Sequence, residues 1–335
     1  TASVLSGKYG ENIGPVWGCL VVVQLLCTTV AILTLDDAAQ RGFGLGSISS
    51  IFVATNVCEN VLWKIVSPMT LNVGKGPEFE GILIEFVRRS FHEQNVWTAF
   101  IYMCARKSLH NVLNLCSTWF LFLCIVYFEG CRVNIPIRHK QRKHSASSFP
   151  IKLFYASNMP IMLFSALSSN IMFISTLLYS KFPNNIMIQW LGVWESLPSH
   201  GSSPVSGLAF YLSPPRGDAI LPYITYSIYM MATCAAFALS WIDISGSSAK
   251  EVAKQLKDDN IVILGHRDEK TRQTLEPYIF MASVSGAVLM ASLSIFADIT
   301  GTIGSGTGML LAVTTLYQTY EAILKEAAHK RPRLM

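Results

Sequence analysis

Apolar residues in this chain gather into runs of roughly bilayer length, separated by polar segments. A membrane-spanning helix needs about 20 mostly apolar residues, and seven segments approach that mark: 14–35, 48–66, 112–128, 159–180, 220–242, 278–297 and 303–321. Two of them are weak. The second carries Glu59 and Lys64, and the seventh opens with glycines and small polar residues. Weakly apolar spans sit inside a bundle or beside water, where protein rather than lipid satisfies their polar groups. The pattern predicts an all-α, polytopic membrane helix bundle.

Composition agrees. With 51% hydrophobic and 14% charged residues and a mean hydropathy of +0.39, the chain does not fit a pair of water-soluble domains, a disordered tail or a disulfide-stapled module. The eight cysteines form no C-x-x-C pair and no Cys/His ligand spacing, so they are expected to be free, buried thiols, with no metal site. Thr1 to Gly14 lack a basic stretch ahead of a short apolar core, which is not the pattern of a signal peptide.

The net charge of +5 is modest, but it is unevenly placed. Of the 26 Lys and Arg, seventeen fall around Arg41, in the loops holding 132–152 and 250–272, and in the tail 325–333; eight fall on the other side, and Lys64 lies within a span. The positive-inside rule then puts the C-terminus in the cytosol and the N-terminus across the membrane.

Two of these cytosolic loops stand apart. The first, Arg132-Val-Asn-Ile-Pro-Ile-Arg-His-Lys-Gln-Arg-Lys-His144, includes Arg138, Lys140, Arg142 and Lys143 with almost no acid to offset them. In the second, Ser248 and Glu251 have the spacing of a capping box opening an amphipathic helix over 248–257. After it the β-like run Ile261-Val-Ile-Leu turns at Gly265, which predicts a hairpin tip projecting His266 and Arg267. Such charge either anchors topology alone or forms a docking surface for a large anionic partner. Each loop runs to about 30 residues, longer than a plain connection needs.

Four strings carry a family resemblance: Phe149-Pro-Ile-Lys-Leu-Phe-Tyr-Ala-Ser-Asn-Met-Pro-Ile161, Trp241-Ile-Asp-Ile-Ser-Gly-Ser-Ser-Ala-Lys-Glu-Val-Ala-Lys-Gln-Leu-Lys257, Gly304-Ser-Gly-Thr-Gly-Met-Leu-Leu-Ala-Val-Thr314, and Gly42-Phe-Gly-Leu-Gly-Ser47 followed by Ala54-Thr-Asn56. In order and from end to end, they resemble the α subunit of the eukaryotic endoplasmic-reticulum protein-conducting channel, the SecY family. The resemblance implies a ten-span clamshell of which this chain looks like the fourth to tenth spans, an incomplete subunit without the plug and the first three spans. It divides the chain into 1–158, the end of the N-terminal half and the start of the C-terminal half with a basic cytosolic loop, and 159–335, which holds the lateral-gate spans, the cytosolic hairpin loop 243–277 and the last two spans.

By the same resemblance, the apolar pore ring falls on Val53, Met162 and Leu311. Ser49 departs from the apolar type, and Ile48 could substitute for it. Asn170 matches the family's lateral-gate asparagine, although a helix contact along Ser165, Ser168 and Ser169 would also explain it. Arg138, Lys140, Arg142, Lys143, His266 and Arg267 match the ribosome-binding loops. The implied partners are the ribosome, nascent polypeptides and their signal sequences, small single-span β and γ channel subunits, accessory Sec membrane proteins and the lipid bilayer. The implied function is a pore-forming subunit of the endoplasmic-reticulum translocon, which conducts nascent chains and releases transmembrane segments sideways into lipid.

Other readings stay in view. Glu59 either faces an aqueous vestibule or pairs within the bundle. Gly304-Ser-Gly-Thr-Gly308 has no following Lys and no preceding strand, so it does not cradle phosphate; Gly304 and Gly308 suit close helix packing. Gly42, Gly44 and Gly46 read as a cytosolic turn. No catalytic constellation emerges, and no cofactor is expected. A polytopic solute transporter is the alternative, and a seven-span receptor a third candidate; the first should show a midplane site with helix breaks, the second a basic-aromatic signature at the cytosolic end of the third span. Neither feature is clear.

Overall fold

Each of the seven apolar runs forms a long helix in the computed structural model, which describes residues 15–43, 48–72, 77–92, 96–106, 109–139, 146–182, 185–197, 201–214, 220–263 and 271–330. They are α1 (Pro15–Phe43), α2 (Ile48–Val66), α5 (Val112–Gly130), α6 (Met159–Lys181), α9 (Ile220–Ile244), α11 (Thr271–Thr300) and α12 (Gly306–Lys330). Shorter helices fill the connections: α3 (Ile82–His92), α4 (Val96–Ala105), α7 (Ile186–Leu191), α8 (Leu208–Leu212) and α10 (Ala249–Asp258). Pro15 opens α1 and Pro160 lies in the first turn of α6, where the missing N–H costs nothing and the fixed φ suits a helix.

Among the described residues, five helices are long and apolar enough to cross a membrane, the candidate spans being Val16–Arg41, Val112–Gly130, Met159–Lys181, Ile220–Asp258 and Thr271–Thr300. The two weakly apolar helices, α2 and α12, pack along one another; α2 buries only Ala54 among its described side chains, whereas α12 buries Met309, Leu310, Ala312, Val313 and Thr314. A helix surrounded by protein can carry polar residues that lipid would penalise. The main core joins Leu121 and Ile125 of α5, Ile161 and Phe164 of α6, Met230 and Ala238 of α9, Ala291 of α11 and Leu310 of α12.

Small sheets complete the mostly helical fold. β1 (Thr70–Asn72) pairs with β2 (Pro77–Phe79), and β5 (Val193–Leu197) with β6 (Gly201–Ser206). The third sheet has the order β4-β3-β7, from β3 (Arg132–His139), β4 (Ala146–Lys152) and β7 (Ile261–Ile263). The expected strand after residue 260 therefore exists, but its partner is β3 rather than a strand of its own loop: Ile137 pairs with Ile263, Arg138 with Val262 and His139 with Ile261. Ile135, Ile137, Ile151 and Ile263 pack beneath this sheet on Val252 and Leu256 of α10 and on Leu275 and Ile279 of α11. Residues 264–270, with the expected tip, lie outside the described residues.

Four local expectations are corrected. Ser248 is the N-cap of α10, but its side chain makes no cap hydrogen bond; the backbone amides of Glu251 and Val252 donate to its carbonyl instead. Gly304 has φ +100 in the turn before α12, so it serves chain reversal, not helix packing. Gly306 takes the packing role, since a methyl there would lie 2.5 Å from the Ser294 carbonyl oxygen. Gly42 closes α1 rather than forming a turn, and Gly44 and Gly46 lie outside the described residues. The cysteines are free, yet only Cys234 is buried, with Cys19, Cys27 and Cys116 exposed: thiols are as compatible with an outward apolar surface as with a core.

Candidate functional site

A cavity of about 350 Å³ opens between α2, α6 and α12, and all three predicted ring residues line it. Val53 comes from α2, Met162 from α6 and Leu311 from α12. The other lining side chains are arranged by depth. On α2, Ser50 precedes Val53 by about one turn; on α6, Ser157, Asn158 and Met159 precede Met162; on the antiparallel α12, Thr315, Gln318 and Thr319 follow Leu311. At 1.5 Å rise per residue, Ser50 of α2, Ser157 and Asn158 just ahead of α6, and Thr315, Gln318 and Thr319 of α12 gather toward the end that carries β3 and β4, together with the apolar Met159 and Ala322, and Val53, Met162 and Leu311 lie about one turn or more further in. Ser49 lies in α2 with its side chain outside the described residues, and its neighbour Ser50 contributes to the cavity.

The polar half of the cavity is tied together. Gln318 Nε2 donates to Ser157 Oγ at 2.6 Å, and Asn158 Nδ2 to Thr315 Oγ1 at 3.4 Å. Ser157 adopts φ 54, a left-handed conformation uncommon for a residue with a side chain, and the Gln318 bond holds the hydroxyl that this conformation presents. Lys152 at the end of β4 pairs with Glu321 of α12. Sequence reading missed this network, although Lys152, Ser157 and Asn158 all lie in the string Phe149–Ile161.

The three-stranded sheet is joined directly to that wall. Leu153 N donates to Cys131 O at 3.0 Å, closing the base of the β3–β4 hairpin. Tyr155 Oη donates to the Ser247 carbonyl at 2.9 Å, linking the two loops, and burial pushes the Tyr155 hydroxyl above its ordinary pKa. Gly286 of α11 lets the chain pass close: a methyl at Gly286 would meet the Leu153 carbonyl oxygen at 2.3 Å. Of the six docking candidates, Arg138 lies exposed in β3 between Ala146 of β4 and Val262 of β7. Lys140, Arg142, Lys143, His266 and Arg267 lie outside the described residues, on the segments that β3, β4 and β7 lead into.

Asn170 is exposed on α6, two turns beyond Met162. Glu59 is exposed on α2 beside Thr55, Cys58, Leu62 and Trp63, and no salt bridge to it occurs among the described residues. No cluster of three or more His, Cys, Asp or Glu that could hold a metal occurs among the described residues.

Comparison with known proteins is consistent with this geometry. The SecY family model matches residues 1–320. The chain is 42% identical over 333 residues to the protein transport protein Sec61 subunit alpha of Dictyostelium discoideum, covering 97% of this chain and 70% of that protein. A solved protein-conducting channel superimposes with a TM-score of 0.74 at 28% identity over 97% of this chain and 69% of its own. Sec61 in the canine ribosome–channel complex from the endoplasmic reticulum gives 0.69 at 26% identity, with the same coverage. Sequence identity, matched length and helix arrangement agree, and the chain belongs to the SecY family.

Proposed function

We propose that this chain forms the pore wall of a protein-conducting channel in the endoplasmic-reticulum membrane, with Val53, Met162 and Leu311 as its ion-excluding ring. The observation that carries the proposal is the ordering of the cavity, with its polar side chains gathered toward one end and Val53, Met162 and Leu311, from three separate helices, further in. A polypeptide can be solvated in the polar funnel, while an apolar constriction empties of water and so stops ions. The charge distribution supports a cytosolic polar end and a cytosolic C-terminus. Asn170, exposed on α6, serves as the lateral-gate residue past which apolar segments leave for lipid. The chain acts as a conduit and carries no catalytic role. A transporter would need helix breaks at the midplane, and α5, α6 and α9 run unbroken.

In this reading the β4-β3-β7 sheet is the platform for the ribosome: Arg138 lies on it, and the segments with Lys140, Arg142, Lys143, His266 and Arg267 spring from it. RNA offers phosphates and shape, which Arg and Lys recognise without reading bases. Small single-span β and γ subunits and accessory Sec proteins are proposed as further partners. The parts 1–158 and 159–335 are proposed as the two segments of the subunit, and they share the main core. Replacing Val53, Met162 and Leu311 together by Gly tests the ring: ion leakage through reconstituted channels should rise, and unchanged conductance would remove these residues from the barrier.

A further inference from the structure

Between α2 and α5, on the face opposite the β4-β3-β7 sheet, the hairpin β1–β2 and helices α3 and α4 form a cap. Its apolar centre, Ile82, Met103 and Ile303 with Phe86 and Tyr102, is seated on Val61 and Ile65 of α2 and Leu115 of α5. Most of its charges are inside, Arg88 and His92 being the exposed basic residues of α3. Glu85 is fully buried, accepting from Phe79 N and Arg89 Nε, each at 3.1 Å. Arg106 donates to Glu78 at 3.2 Å and to the Phe79 carbonyl at 2.6 Å, and Tyr102 donates to Glu78. The Arg89 guanidinium lies 3.3 Å over the Tyr102 ring. Burial opposes ionisation of Glu78, but the Tyr102 hydroxyl and the two arginines outweigh it and hold the carboxyl below its ordinary pKa.

This network fixes which way α3 faces. With Glu85 and Arg89 turned inward, residues about half a turn away must point out, and these are Leu83, Val87 and Phe91, an apolar stripe at four-residue spacing. Phe91 is 89% exposed. Neighbouring α4 has no charged residue; it buries Ala99 and Met103 and turns Val96, Trp97, Phe100 and Ile101 outward, Trp97 being 77% exposed. A buried ion network beneath a mainly apolar outer face, interrupted on α3 by exposed Arg88 and His92, is the wrong way round for water. A ten-residue apolar helix is too short to span, and that length suits an interfacial or re-entrant segment. The outward face continues exposed Leu62, Trp63 and Val66 at the end of α2 and Leu113 at the start of α5, so it adjoins the surface that those helices offer to the bilayer. Tryptophan side chains favour that depth.

We propose that α3 and α4 lie in the lumenal leaflet at the boundary of headgroups and acyl chains, with Leu83, Val87, Phe91, Trp97 and Ile101 in contact with phospholipid. The cap is then a monotopic anchor held to the bundle by its buried ion network. This inference rests on α2 and α5 crossing the bilayer, and not on the pore assignment. The assembled channel, reconstituted in phosphatidylcholine vesicles containing diazirine-tailed phosphatidylcholine, is irradiated and its adducts mapped by mass spectrometry. Adducts should appear on 83–101 as well as on α1, and be absent from β3. Hydroxyl-radical footprinting should show Phe91 and Trp97 protected in vesicles. Loss of adducts from 83–101 while α1 is labelled, or full oxidation of Trp97 in vesicles, would overturn the proposal, since the face would then meet water or a protein.

Discussion

Ile137→Ala should release β7 from the docking sheet while leaving the β3–β4 hairpin intact. Ile137 is paired with Ile263 across the sheet, and both are buried over Leu256 and Val252 of α10. Truncating a buried Ile to Ala costs about 2–5 kcal/mol. β7 is held by a register of only three pairs, 137 with 263, 138 with 262 and 139 with 261, whereas β4 is held by seven. A net hydrogen bond is worth about 0.5–1.5 kcal/mol, so the loss is comparable with everything the short ladder contributes. Even the lower figure of about 2 kcal/mol corresponds to about a 30-fold rise in the open population. Hydrogen exchange at the amides of 261–263 should therefore quicken by about that factor or more, with 147–151 little changed, and ribosome affinity should fall because the two basic loops are no longer carried on one platform. Exchange at 261–263 and ribosome binding both equal to the parent's would refute the idea that this sheet joins the loops.

Two further outcomes are expected. Arg267→Glu should weaken ribosome binding and flatten its salt dependence, because phosphate contacts act through counterion release; co-sedimentation over a salt series measures both, and an unaltered affinity and slope would leave the loop charge as a topology anchor only. Asn170→Leu should shift the hydrophobicity at which a graded Leu/Ala segment enters lipid, one polar group at the gate being worth about 0.6–2 kcal/mol; an identical threshold would remove Asn170 from the gate.

The helices were legible because burial in lipid writes long apolar runs into the sequence; of the two weak runs, α12 is enclosed as its weakness suggested, whereas α2 keeps most of its described side chains exposed. Val53, Met162 and Leu311 were identified by resemblance; nothing in their spacing distinguishes them from other apolar residues in a span. The third sheet was half hidden. Val133-Asn-Ile-Pro-Ile137 alternates with the period of a strand, but Pro136 and the adjacent run of bases read as a charged loop. The partner of β7 lies more than a hundred residues earlier, and no local signal sets such a register. The cap's ion network was likewise out of reach, since Glu78 and Arg106 are far apart in the chain and meet only after α3 and α4 fold back. Gln318 and Ser157 are separated further still, and only the antiparallel placement of α12 beside the start of α6 joins them.

The central claim is that the cavity between α2, α6 and α12 is the path of the polypeptide. A translocating chain arrested in the reconstituted channel, with a photoreactive residue placed at successive positions, tests it most directly. The account predicts that adducts in the membrane interior concentrate on Val53, Met162 and Leu311, with Ser50, Thr315 and Gln318 labelled from positions nearer the cytosol, and that exposed Trp119 of α5 stays unlabelled. Efficient translocation with adducts on Trp119 and none on the three cavity residues would contradict it.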